Sequence, residues 1–125
     1  MRIVIDLDDT ICKTENRDYQ HSKPIQAVID KMNEIRGTLP DVEFVLHTAR
    51  GMNSCHGDVA MAEAKNRPTV ERWLYENGVK VDEIIFGKPL GDLYIDDKAM
   101  SAQDFASSKI FKYEGLSGAT VERVG

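Results

Sequence analysis

The sequence predicts an α/β fold, built as a single doubly wound domain with a parallel sheet over residues 1–125. Short apolar runs alternate with amphipathic stretches from end to end, which is typical of this class. The runs lack polar alternation, as expected for strands that are buried on both faces. Acidic or polar clusters follow several runs, at the sheet edge where such folds form their sites. The predicted strands cover residues 3–7, 44–46, 84–86, 93–95 and 110–113.

Three helices are predicted between these strands. The first covers residues 24–36, with its apolar residues on one stripe and a glycine directly after it. Pro68 suits the first turn of the second helix, and Gly78 suits its end. Ser101 and Asp104 have the spacing of a cap at the start of a short third helix. With right-handed connections, this order of elements gives the doubly wound sheet.

Composition excludes several classes of protein. The formal net charge of −5 argues against a nucleic-acid-binding surface, and we expect no nucleic-acid partner. No apolar run approaches the length of a membrane span, so we expect no membrane partner. Cys12 and Cys55 lack the spacing of a disulfide framework or a zinc site. We expect Cys12 to pack as a small apolar residue. A cytoplasmic protein is the resulting prediction.

Two of the predicted strands end in carboxylates. Asp6, Asp8 and Asp9 follow the first strand, and Asp96 and Asp97 follow the fourth. Like charges at such short spacing repel one another unless a cation lies among them. Carboxylate oxygens are the ligands that Mg²⁺ prefers in proteins. If the two strands are neighbours, the sequence therefore predicts a Mg²⁺ site and phosphoryl chemistry.

Four motifs occur in order along the chain, each after a predicted strand: Asp6-Leu7-Asp8-Asp9-Thr10, His47-Thr48-Ala49-Arg50-Gly51, Gly87-Lys88-Pro89 and Asp96-Asp97. They resemble the four motifs of the haloacid dehalogenase superfamily of phosphohydrolases, and the likeness covers almost the whole chain. Residues 86–89 and 94–98 are most similar to small members without a cap domain, including capsule-biosynthesis phosphatases. Asp9 departs from the pattern, since many relatives have Gly or Asn there.

The resemblance implies a catalytic role for four residues. Asp6 is the expected nucleophile, which attacks phosphorus to form an aspartyl-phosphate. Asp8 is the expected general acid and base, which protonates the leaving oxygen and later activates water. Thr48 is expected to donate its hydroxyl to a phosphoryl oxygen. Lys88 is expected to neutralise the transferring group and to restrain Asp6.

The resemblance also implies a metal site and a substrate contact. The expected Mg²⁺ ligands are the Asp6 carboxylate, the Asp8 backbone carbonyl and Asp96, with Asp97 as a further ligand or as a partner of one. Arg50 is the best candidate for substrate recognition, because its guanidinium could bind a phosphate or carboxylate bidentately. A surface ion pair is the alternative for Arg50. The roles of His47, His56 and Asn66 stay open.

The implied function is a Mg²⁺-dependent phosphomonoester hydrolase. Its expected substrate is a small phosphorylated metabolite, such as a sugar phosphate of surface-polysaccharide metabolism. A phosphotransferase and a non-catalytic phosphate-binding or regulatory protein are the alternatives. A signalling receiver domain is excluded by motif order, because it needs its acceptor aspartate after a middle strand, where this chain has His47-Thr48.

The resemblance further implies an open active site. The gaps in which related enzymes carry cap domains are too short here for a domain. Residues 13–23 and 51–66 are the segments long enough to shape the entrance. An open site can bind a large substrate that itself covers the site, or a neighbouring subunit can supply a lid. We expect a homo-oligomer, because a small open site needs further surface to exclude water from a bound phosphate.

Overall fold

The computed structural model describes residues 1–111 and 120–122. Within these residues, no helix combines the length and the apolar character that crossing a bilayer requires. The elements, in chain order, are β1 (Arg2–Ile5), β2 (Cys12–Lys13), a short 3₁₀ helix (Tyr19–His21), β3 (Lys23–Pro24), α1 (Gln26–Thr38), β4 (Glu43–Thr48), α2 (Val59–Glu76), β5 (Glu83–Phe86), α3 (Ala102–Ser107), β6 (Lys109–Phe111) and β7 (Thr120–Glu122).

The main sheet is parallel and has the strand order β1-β4-β5. Its register pairs Ile5 with Leu46 and Thr48 with Phe86. The sheet and the helices share one apolar core, so the predicted mixed α/β fold is confirmed. Within the described residues this strand order winds in a single direction, and the reversal that a doubly wound sheet needs is not among them. The largest fully buried core residues include Phe44, Leu46, Val28, Ile29, Met32, Ile35 and Val70.

Helix α1 forms where the apolar stripe predicts it. Val28, Ile29, Met32 and Ile35 are all buried, and their spacing places them on one face. The helix begins two residues later than predicted, because Pro24 pairs with Cys12 in the β2–β3 ladder. It also continues through the glycine that was expected to follow it and ends at Thr38.

Helix α2 begins much earlier than the sequence predicts. Pro68 lies in the interior of the helix, so its placement in the first turn is wrong. The start is fixed by Asp58, whose side chain accepts a hydrogen bond from the Met61 backbone N–H at 3.0 Å. An interior proline lacks the N–H of one helical hydrogen bond, and its ring crowds the carbonyl four residues before it, so the helix needs other contacts to continue through Pro68. Ala62 and Val70 are fully buried on either side of it, and this packing maintains the helix.

Two predicted helix ends are confirmed. Gly78 follows α2 with a φ of +66°, a conformation that glycine adopts without strain. This turn brings the Val79 N–H back to the Leu74 carbonyl at 2.9 Å. At the start of α3, the Ser101 hydroxyl accepts a hydrogen bond from the Asp104 N–H at 3.0 Å.

The strand predicted over residues 93–95 is absent, and this prediction is wrong for the described conformation. Leu93 is 76% exposed and Ile95 is 89% exposed. In the part of the chain that the structure describes, β1 therefore has a neighbour on one side only. Val4 on β1 is 59% exposed as a result. Among residues 1–111 and 120–122, nothing pairs with this edge of the sheet, which lies beside the first acidic motif.

A local turn accounts for the position of residues 89–94. The Tyr94 hydroxyl donates to the Pro89 carbonyl at 2.7 Å and accepts from the Gly91 N–H at 2.8 Å. The Tyr94 ring also lies 4.4 Å from the Lys88 ammonium. These contacts fold the segment onto itself, so its backbone does not extend along β1.

The predicted last strand is confirmed only in part. The prediction was a strand over residues 110–113, and β6 covers residues 109–111. Residues 112 and 113 lie outside the described residues. β6 pairs with β7 in an antiparallel ladder that is separate from the main sheet.

Asp82 connects the sheet to α1. Its carboxylate accepts the Phe44 N–H at 2.8 Å and an Arg36 guanidinium N–H at 3.2 Å. The Phe44 N–H, and after it the Arg36 guanidinium, hold the pKa of Asp82 below its usual range. A carboxyl whose pKa is lower in the folded than in the unfolded state stabilises the fold when it is ionised. This stabilisation is present above the unfolded pKa and is lost as the pH falls through the folded pKa.

We predict that Asp82→Asn lowers the free energy of unfolding at pH 7 by about 1 kcal/mol, since the side chain is partly exposed. Denaturant unfolding of wild type and variant between pH 7 and pH 2.5 measures the effect. The difference should begin to shrink below about pH 4, where the carboxyl of the unfolded chain binds its proton, and should continue to shrink as the pH falls through the lower folded pKa. Asp41→Asn, an exposed change of the same charge, is the matched control. A difference that stays constant over this pH range would contradict the assignment.

Candidate active site

The ends of β1, β4 and β5 bring three of the sequence motifs to one edge. Parallel strands present their carboxyl ends at the same side of a sheet. Asp6 comes directly after β1, Thr48 is the last residue of β4, and Lys88 comes two residues after β5. The Lys88 N–H donates a hydrogen bond to the Thr48 carbonyl at 3.1 Å. The backbone itself therefore joins the second and third motifs.

Asp6 lies between a cation and a hydroxyl. Its Oδ1 is 3.5 Å from the Lys88 Nζ, and its Oδ2 accepts from the Thr10 hydroxyl at 3.5 Å. The Asp6 side chain is 33% exposed, and that of Lys88 is 20% exposed. Both contacts are long, and the carboxylate keeps access to solvent. The arrangement suits a nucleophile that has a positive charge beside it.

The geometry of the acidic turn explains why an aspartate is tolerated at position 9. Asp9 has a φ of +62°, in the left-handed region that Gly, Asn and Asp tolerate best. The Asp9 N–H donates to the Cys12 carbonyl at 2.8 Å, which closes the turn. The Asp9 side chain is exposed. An aspartate therefore satisfies the backbone requirement of this turn, as a glycine or an asparagine would.

Asp8 is held by Arg50. The Arg50 Nη2 donates to Asp8 Oδ1 at 2.7 Å, and Nε donates to Oδ2 at 3.1 Å, which makes the pair bidentate. Arg50 is only 5% exposed, and its guanidinium lies 4.6 Å from the centre of the Tyr19 ring. The sequence proposes Arg50 as a substrate contact, with a surface ion pair as the alternative. In this structure it forms a buried ion pair with the expected acid and base.

Cys12 packs behind the acidic turn, as predicted. It is fully buried. Burial, and after it the negative charge of Asp8, raise the pKa of the Cys12 thiol to about 11. The thiol is therefore neutral at physiological pH, when it contributes as a small apolar side chain.

Thr48 lies beneath the rim. It is 1% exposed, and its hydroxyl oxygen accepts the Arg50 N–H at 3.0 Å. The second motif therefore supports Asp8 in two steps. The Thr48 hydroxyl holds the Arg50 backbone, and the Arg50 guanidinium holds the Asp8 carboxylate. For Thr48 to donate to a phosphoryl oxygen, as the resemblance implies, the residues that cover its side chain must move.

Asp96 and Asp97 lie apart from this cluster. Both are exposed, and the Lys98 N–H donates to the Asp96 carboxylate at 2.8 Å. That hydrogen bond, and after it the one with Asp97, lower the pKa of Asp96. In residues 1–111 and 120–122, no three His, Cys, Asp or Glu side chains are arranged to hold a metal ion. The structure joins the first three motifs and leaves the fourth outside.

The sequence did not indicate how residues 13–23 support the site. The Thr14 hydroxyl donates to Asp8 Oδ1 at 3.3 Å and lies 2.6 Å from the Ser22 hydroxyl. The Trp73 indole N–H donates to the Ser22 carbonyl at 2.7 Å and so fixes this segment to α2. The aromatic Tyr19 within a charged stretch is the one sequence signal for this arrangement. A shallow polar cavity beside it is lined by Lys13, Glu15, Asn16, Asp18, His21 and Lys23.

Comparison with known proteins identifies a similar crystal structure, that of an MCSG target from Vibrio cholerae. The two sequences are 33% identical, and the match covers 85% of this chain and 87% of that chain with a TM-score of 0.80. No family model and no curated protein matches the sequence. Identity at this level over most of both chains indicates a shared fold.

Proposed function

The chain belongs to the same protein family as this Vibrio cholerae protein, and we propose that it is a Mg²⁺-dependent phosphomonoester hydrolase of the haloacid dehalogenase type. One observation carries the proposal. The Asp6 carboxylate lies at the carboxyl end of β1 with the Lys88 ammonium 3.5 Å away, and Thr48 ends the neighbouring strand. This pairs a partly exposed nucleophile with a cation at one edge of a parallel sheet.

In the first step, a carboxylate oxygen of Asp6 attacks the phosphorus of the ester. The bond from phosphorus to the leaving oxygen breaks, and the Asp8 carboxyl gives its proton to that oxygen, so an alcohol departs. Lys88 offsets the negative charge that approaches Asp6. The product on the enzyme is an aspartyl-phosphate at Asp6.

In the second step, the Asp8 carboxylate takes a proton from water while the water oxygen attacks phosphorus. The bond between phosphorus and the Asp6 oxygen breaks. Asp6 returns to a carboxylate, inorganic phosphate leaves, and Asp8 again carries the proton for the next cycle. Asp6 and Asp8 are two positions apart in the turn, so the same pair serves both steps.

A Mg²⁺ site that includes both Asp6 and Asp96 requires the segment that carries Asp96 to move toward Asp6. Oxygen ligands from Asp6, the Asp8 carbonyl and Asp96 are of the type that Mg²⁺ binds. The described carboxylates do not form a three-residue set, because Asp96 lies outside the cluster. The free edge of β1 and the exposed side chains of Leu93 and Ile95 support an approach of this segment to Asp6. Bound there, the ion would neutralise phosphoryl oxygens.

The substrate class follows from the resemblance of residues 86–89 and 94–98 to capsule-biosynthesis phosphatases. A small phosphorylated metabolite, such as a sugar phosphate of surface-polysaccharide metabolism, is the proposed substrate.

The experiment is a phosphate-release assay on the purified protein against a panel of phosphorylated metabolites that includes sugar phosphates. We expect release of inorganic phosphate in millimolar Mg²⁺ and loss of that release in excess EDTA. Addition of a free sugar as acceptor tests for transfer in place of hydrolysis. Failure to release phosphate from any compound, generic aryl phosphates included, would overturn the proposal.

A further inference from the structure

We propose that Arg50 is a positioning residue that fixes the carboxyl group of Asp8, and that it does not bind the substrate. The inference rests on the proposed function, because it assigns a role within that reaction. This role replaces the expectation from sequence that the Arg50 guanidinium binds a phosphate or carboxylate of the substrate.

The geometry of the ion pair carries the proposal. Two N–H groups on one rigid guanidinium bind the two oxygens of Asp8, at 2.7 and 3.1 Å. A bidentate pair of this kind fixes the plane of the carboxylate as well as its position. The Arg50 side chain is 2% exposed, so a substrate in solution has no access to it.

Arg50 is itself held through both its backbone and its guanidinium. The Arg50 N–H donates to the Thr48 hydroxyl oxygen at 3.0 Å, which anchors the backbone at the end of β4. The Tyr19 ring covers the guanidinium at 4.6 Å, a cation–π contact. Arg50 therefore connects Asp8, which lies in a turn beyond the end of β1, to the end of β4.

The two oxygens of Asp8 have different surroundings. Oδ1 accepts from Arg50 and Thr14, and the Cys12 thiol lies 3.7 Å from it. Oδ2 has Arg50 Nε as its partner. Oδ1 is therefore the anchored atom, and Oδ2 retains a lone pair for the proton that passes to the leaving oxygen. Without Arg50, the carboxyl group would rotate and this assignment of the two atoms would be lost.

The test compares two substrates that differ in their need for a general acid. An alkyl phosphate needs its leaving oxygen protonated, whereas p-nitrophenyl phosphate has a leaving group that departs as an anion. We expect Arg50→Met to lower kcat/KM for the alkyl phosphate by about 10²-fold and for p-nitrophenyl phosphate by less than about 10-fold. The inhibition constant of inorganic phosphate should change by less than about 3-fold, since Arg50 does not hold the phosphate.

Two further variants complete the design. Arg50→Lys should resemble Arg50→Met, because an ammonium cannot form the bidentate pair, and added guanidinium ion should restore part of the alkyl phosphate activity of Arg50→Met. Arg72→Met, an exposed change of the same type on α2, is the matched control and should behave as wild type. If Arg50→Met does not fold, Tyr19→Ala against Tyr19→Phe gives the same comparison with a smaller expected effect.

The outcomes separate the two proposals. If wild type hydrolyses neither ester, the proposed function fails. If wild type hydrolyses both, but the variant loses both equally or binds inorganic phosphate more weakly, the positioning role of Arg50 is wrong and the hydrolase function stands. A selective loss on the alkyl phosphate with unchanged phosphate inhibition supports the positioning role.

Discussion

We expect Asp6→Asn to lower the rate of the proposed phosphomonoester hydrolysis by at least about 10³-fold, because the amide cannot attack phosphorus to form the acyl phosphate. The measurement is steady-state phosphate release, together with rapid-quench labelling by a ³²P-labelled ester. Wild type should incorporate label, and Asp6→Asn should incorporate none. We expect stability to change by less than about 1 kcal/mol, because the contacts of Asp6 with Lys88 and Thr10 are long and partly exposed.

The matched control is Asp9→Asn. It makes the same change of charge in the same turn, at an exposed position whose φ of +62° an asparagine tolerates. This variant should keep its turnover and its label. Activity in Asp6→Asn at more than a trace level, confirmed with Asp6→Ala to exclude deamidation, would show that another residue is the nucleophile.

The elements that local patterns determine were predictable from sequence. The apolar stripe of α1 and the short runs of β4 and β5 each depend on residues within a few positions of one another, and the structure places them as expected. The common direction of parallel strands predicts that Asp6 and Lys88 lie at the same edge of the sheet, and the family resemblance predicted their contact. The helix and the two strands needed no knowledge of long-range packing.

The elements that tertiary contacts decide were not predictable. The rule that places proline in a first turn is a local preference, and the burial of Ala62 and Val70 outweighs it at Pro68. The apolar run at residues 93–95 has the composition of a strand, but the Tyr94 hydroxyl closes a turn over the residues before it. Composition alone cannot distinguish these outcomes.

The role of Arg50 in the candidate site was likewise not predictable from the sequence. Its sequence position beside Thr48 suggests a substrate contact, and its partner Asp8 is 42 residues away along the chain. Only the register of β1 against β4 brings the two together. The Tyr19 ring, from a segment without a periodic pattern, then removes Arg50 from solvent.

We expect millimolar Mg²⁺ to raise the thermal stability of the protein and Asp96→Ala to remove this effect. An ion that binds only the folded state stabilises it by about 2.7 kcal/mol at a concentration 100 times its dissociation constant. The proposed site needs Asp96 beside Asp6, so the alanine variant should lose both the stabilisation and the Mg²⁺-dependent activity. Asp92→Ala removes the same charge from an exposed position in the same segment and should keep both. Thermal unfolding with and without Mg²⁺ measures the effect.

Hydrogen exchange tests the accompanying movement of the chain. The backbone of residues 93–95 belongs to no strand in this structure, and Leu93 and Ile95 are exposed. If Mg²⁺ brings the segment against the free edge of β1, its amides gain strand hydrogen bonds and exchange more slowly. We expect that protection in wild type and in Asp92→Ala, and none in Asp96→Ala. An equal Mg²⁺-induced rise in stability in wild type and Asp96→Ala, with unchanged exchange at residues 93–95, would place the ion elsewhere and separate the fourth motif from the active site.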